Sequence, residues 1–189
     1  MIADWGLPMS SPAVPTDTCR NVLRRFGRNR RGSAAVEFAL VAPVFFALLF
    51  AIIETALMFF ASQVLETITQ NSARMIVTGQ AQSSSYTQTQ FKTYVCGQIP
   101  ALFNCGSLYV DVESYPSFSN ISLSTQIDNS GNFINNNMQY SPGGPGDIVV
   151  VRLFYPWQLF VTGLGYNISN LSGNQRLLVA TAAFQNEPF

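Results

Sequence analysis

From Phe38 to Ile53 the chain runs sixteen residues without a charge, and six arginines (Arg20, Arg24, Arg25, Arg28, Arg30, Arg31) precede that run. Glu54 and Thr55 interrupt it, and ALMFFA carries it on to Ala61. The stretch from Phe38 to Ala61 would make roughly 36 Å of helix at about 1.5 Å per residue. A hydrocarbon core of about 30 Å can be crossed by such a helix with some tilt. A removable secretory signal fits less well: the run is long, and Phe59 stands where a small residue is wanted at the −3 position.

Charge orients the span. Residues 1–32 carry a net +4, and residues 33–189 carry a net −4. By the positive-inside rule the N-terminus stays in the cytoplasm and the rest is translocated. The competing reading of the arginines, a nucleic-acid patch, conflicts with the apolar run that follows them, so no nucleic-acid partner is expected. Charged residues make up only 11% of the chain, against about 25% in soluble domains. Much of this protein is expected to face something other than water.

The segments around the span read differently. Residues 1–32 are Pro- and Ser-rich, then basic, and read as a disordered leader. Pro43 removes a backbone donor and clashes with the carbonyl of Ala39, so a kink is expected there. Val64, Leu65, Ile68, Ser72, Met75 and Ile76 continue at helical spacing, while Glu66, Gln70 and Arg74 fall elsewhere. Gly79 suits a C-terminal cap. One helix over 33–79, membrane-spanning and then amphipathic, is expected. Its outer stripe needs a partner, either the protein's own C-terminal domain or neighbouring subunits.

Residues 80–90 read as a polar linker, followed by a short helix through Phe91, Tyr94, Val95 and Ile99. The period then changes to two. Leu108–Tyr115, Asp147–Tyr155 and Gln175–Gln185 read as strands, and Ile121–Ile127 as a further candidate. The fold class is therefore α+β: a long N-terminal transmembrane helix leading into a small antiparallel sheet, with residues 80–189 forming the domain outside the cytoplasm.

Chemistry is sparse. The chain has no histidine and three cysteines, so neither a Ser-His nor a Cys-His arrangement is possible. Cys96 and Cys105, with eight residues between them, can form a short-loop disulfide in an oxidising compartment; two unpaired buried thiols are the alternative. No metal site and no cofactor are expected. Asp111 and Glu113 share a strand face, and such carboxylates are usually solvated. GGPGD at Gly143–Asp147 lacks the Lys-Ser/Thr of a phosphate loop and reads as a turn. The carboxylates in or beside the span, Glu37 and Glu54, matter more, because a charge in a membrane helix is a functional hypothesis by default. Glu54, near the outer end, could also simply reach the interface or be protonated.

The string Arg30-Arg31-Gly32-Ser33-Ala34-Ala35-Val36-Glu37-Phe38 resembles the processing site of type IV-like prepilins, in particular those of the Tad (Flp) pilus. Residues 39–55, the Ala-Arg…Gly helix end at Ser72–Gly79, and the GDIVVVRLFYPW and RLLVATAAFQNEPF segments are similar to the TadE/TadF pseudopilins. That resemblance implies a structural, non-enzymatic subunit. Cleavage by a prepilin peptidase would follow Gly32 and leave Ser33 first, with Glu37 fifth and Phe38 after it. The implied partners are the inner membrane, other pilin or pseudopilin subunits and the Tad assembly machinery. An uncleaved, membrane-anchored periplasmic binding or scaffold module is the alternative.

Overall fold

A computed structural model describes residues 32–99, 101–161 and 167–189. The expected leader therefore lies, apart from Gly32, outside the described residues. The chain divides into two compact units between Ala47 and Leu48.

Helix α1, Ser33–Val77, is 45 residues long and contains Pro43. It is the one described helix long and apolar enough to cross a membrane. From Val36 to Phe46 its large apolar side chains are exposed. In the second unit its character changes. Met58, Ala61, Leu65, Ile68, Ser72 and Ile76 recur three or four residues apart and are buried. They lie on one stripe of the helix, while Glu66, Gln70 and Arg74 are exposed. The stripe shares a core with Val110, Val112, Val149, Val151 and Leu153. The partner of the amphipathic half is thus the protein's own sheet.

That sheet has three antiparallel strands in the order β1 (Tyr109–Tyr115), β2 (Ile148–Gln158) and β3 (Gln175–Gln185). The register sets Asp111 opposite Arg152, and Arg152 opposite Thr181. Alternation sends Val110, Val112, Val151 and Leu153 to the α1 side and Asp111, Glu113, Arg152 and Phe154 to the other. A smaller core of Phe154, Leu171 and Leu177, joined by Tyr109, Ile127, Phe133 and Met138, lies on that second side.

Two expected elements differ. The span 80–90 is not simply a linker. Gln80–Ser83 forms a short helix, α2, that buries Ala81. Helix α3, Gln88–Gly97, starts from a capping box in which Thr87 and Gln90 satisfy each other's backbone donors, so the polar residues serve as caps rather than tether. Ile121–Ile127 is not a strand: only Ile127 makes a bridge, to Phe133. The Asp128 carboxylate accepts from the Ser130 and Asn132 amides at 2.8 and 2.7 Å, bonds that fold the chain into a local turn and compete with a ladder. The same bonds from Asn132 and Ser130 lower the Asp128 pKa.

Cys96 and Cys105 are joined by a disulfide, with Cα atoms 5.7 Å apart. It ties the last turn of α3 to the 3-10 turn ahead of β1. The C-terminus closes onto the end of α1. The Glu187 amide donates to the Val77 carbonyl at 3.0 Å. Gly79 is in the left-handed region at φ 71°, and a Cβ there would collide with the Phe189 ring. Glycine is needed at that cap for conformation and for space.

Candidate functional site

The residues picked out by the sequence fall into separate places. Gly32 stands exposed in a 3-10 turn directly before α1. Among the described residues, nothing lies within 4 Å of where a Cβ on Gly32 would sit. Ser33 is the first residue of α1. Glu37, one turn on, is exposed, and Phe38 is 67% exposed.

Glu54 is different. It is only 7% exposed. Its carboxylate accepts the backbone N–H groups of Phe160 and Val161, the latter at 3.0 and 3.2 Å from its two oxygens. These residues follow β2 at the start of the β2–β3 connection. Leu159, just before them, is buried, and its amide donates to the Asn174 carbonyl at 3.0 Å. Glu54 therefore neither reaches the surface alone nor lies without partners: it clamps a loop more than a hundred residues away in sequence. Sequence periodicity could not supply this, because main-chain donors carry no side-chain signature.

Asp111 and Glu113 correct the expectation that they would be solvated. Asp111 is fully buried. Arg152 donates to its Oδ2 from Nε at 3.0 Å and from Nη2 at 2.5 Å. Nη2 also reaches Glu113 Oε1 at 2.9 Å, and Nη1 donates to the Ser124 carbonyl at 3.2 Å. The Gln139 amide takes the other Asp111 oxygen at 2.8 Å. Tyr115 donates to Glu113 at 2.5 Å; burial, then that carboxylate, raises the phenol pKa. Nearly every polar atom of this network is spent inward, pinning residues 122–139 over the sheet. A single arginine inside DIVVVRLFY was the available clue, since a cation in an apolar strand requires a buried counter-charge.

Among the described residues no group of three or more His, Cys, Asp or Glu could hold a metal ion. A groove along α3 is lined by Tyr86, Thr93, Tyr94 and Gln98, among others, without a charged side chain.

The residue string at Gly32, the exposed turn that carries it and the exposed apolar helix behind it form one continuous segment. Residues 32–74 match the TadE-like protein family. The match begins on Gly32 and covers nearly all of α1, including Glu37 and Glu54. The TadE-like segment thus holds both carboxylates of interest, and the sheet lies beyond it. No curated protein and no solved structure matches the chain.

Proposed function

We propose that the protein is a structural minor pilin or pseudopilin of a Tad-type pilus and has no catalytic activity of its own. The TadE-like match over residues 32–74 carries this reading. The arginines preceding the match and the apolar helix inside it support an inner-membrane protein with a cytoplasmic N-terminus and a periplasmic sheet domain. A prepilin peptidase would cut after Gly32, where the chain is exposed. Cleavage creates an α-amine at Ser33, one helical turn from Glu37. In an assembly of staggered subunits, that amine can meet the Glu37 carboxylate of a neighbour, and burial strengthens such a pairing. The leader blocks this by covering the amine and by holding its arginines in the cytoplasm.

The test is the N-terminal mass of the protein purified from its native host. A start at Ser33, abolished by a Gly32 substitution, is expected; a stable membrane protein that keeps its arginines would favour the uncleaved scaffold instead. Glu37→Gln is expected to be processed but to assemble poorly. Normal assembly of that variant would overturn the amine–carboxylate pairing while leaving cleavage intact.

A further inference from the structure

The β2–β3 connection presents an apolar side chain outward from a backbone that is held in place. Phe160 is 85% exposed, flanked by the buried Leu159 and the half-buried Val161. Its backbone is not free to turn the ring inward. The Phe160 and Val161 amides are both held by Glu54, and the Leu159 amide by Asn174. The ring is fixed outward.

Glu54 also fixes the level at which this happens. A helix needs about 20 residues to cross the hydrocarbon core. Counted from Phe38, the first residue after Glu37, that number ends at Leu57. Glu54 thus stands at the outer edge of the span. Around it on α1, Ile53 and Leu57 are 45% and 47% exposed. Backbone polar groups that border the hydrocarbon are best kept there when their hydrogen bonds are made within the protein. Here the two loop amides and the carboxylate satisfy one another.

We propose that Phe160 is seated in the outer interface of the lipid bilayer, with Glu54 clamping the β2–β3 loop at that depth. The domain then meets the membrane at two points, α1 and Phe160. An aromatic ring suits this zone, where an apolar body is buried at the headgroup boundary. The inference rests on α1 being the membrane anchor. Within that reading it assigns Phe160 a lipid contact.

The experiment uses the full chain in phosphatidylethanolamine/phosphatidylglycerol vesicles, with Cys19 replaced by serine and a nitroxide on Phe160→Cys. Leu49→Cys and Phe118→Cys serve as references within the span and on the domain surface. Collision with dissolved oxygen and with a water-soluble nickel complex reads depth. The expected result is an oxygen-to-nickel ratio at position 160 several-fold above that at 118 and below that at 49. A ratio at 160 equal to that at 118, with 49 reading as lipid, overturns the proposal and leaves the anchor standing. If 49 also reads as water, the anchor itself fails. Protection at 160 accompanied by dipolar broadening that vanishes on dilution with lipid would assign the contact to a second copy, and so overturn it as well.

Discussion

The two halves of α1 treat apolar surface in opposite ways. From Val36 to Phe46 the large apolar residues are exposed on all sides. From Ala61 to Ile76 they are gathered onto one stripe and covered by the sheet. An all-round apolar helix belongs in lipid or in a larger assembly; a one-sided one belongs on a domain. The first half is left uncovered by the described residues. The second is complete within this chain. Glu54 and Met58 stand at the transition, buried on the domain side while Ile53, Leu57, Phe59 and Phe60 remain exposed.

The largest test of the self-sufficient half is Arg152→Ala. It leaves the fully buried Asp111 without its cation. Breaking a buried pair from one side costs about 3–5 kcal/mol, to be read as a lowered urea midpoint of the full chain in detergent. A paired Asp111→Leu/Arg152→Met variant should recover much of that loss. If Arg152→Ala unfolds like the parent, the network is not what holds residues 122–139 in place. Removing a charge from the other half, as in Glu37→Gln, should leave the same midpoint unmoved.

Next is the disulfide. Cys96→Ser with Cys105→Ser opens a ten-residue loop, and the chain-entropy model gives roughly 2–3 kcal/mol for its closure. The expected outcome is a lower midpoint, with α1 helicity by circular dichroism unchanged. A loss of helicity across α1 would mean that the two halves do not stand apart as the burial pattern implies.

Glu54→Ala should have a smaller effect, at the boundary itself. It leaves two amides without their acceptor, but the loop can swing into water, which holds the total loss to about 1 kcal/mol, the low end of the cost of one unsatisfied buried donor. Hydrogen exchange at Phe160 and Val161 is expected to rise sharply, with exchange in β2 unchanged. Slow exchange at both residues in the variant would show that another group holds the loop.

What was legible in the sequence follows the same division. Period and composition were sufficient for α1, the capping glycine, three strands and the α+β class, because each rests on which side chains must leave water. The Ile121–Ile127 candidate failed because the Asp128 carboxylate draws the Ser130 and Asn132 amides into a local turn, while Tyr115 and Arg152 take the Ser122 and Ser124 carbonyls. The placement of Asp111 and Glu113 failed because alternation assigns a face without saying what covers it. Here a long loop does, and Arg152 makes the burial tolerable. The Glu54 clamp was not legible at all, since its partners are backbone amides brought there by the tertiary fold.

The smallest effect concerns Tyr140, in the self-sufficient half. Its ring lies 5.5 Å from that of Phe91, and its buried hydroxyl has no hydrogen-bond partner. Burial, and then the neighbouring Tyr86, pushes its pKa up to about 12 from 10.0. Between those values the unfolded chain has released this proton and the folded one still holds it. The folded state therefore binds more protons, and stability falls as pH rises through the interval. Below pH 10 the contribution is fully present. Tyr140→Phe removes the titration, and it also removes a buried hydroxyl that nothing satisfies. The variant is expected to match or slightly exceed the parent at pH 7 and to lose less stability between pH 10 and 12, measured by urea unfolding at each pH. A parallel decline in both proteins would show that Tyr140 ionises alike in the folded and unfolded chains, and that this edge of the core is open to water.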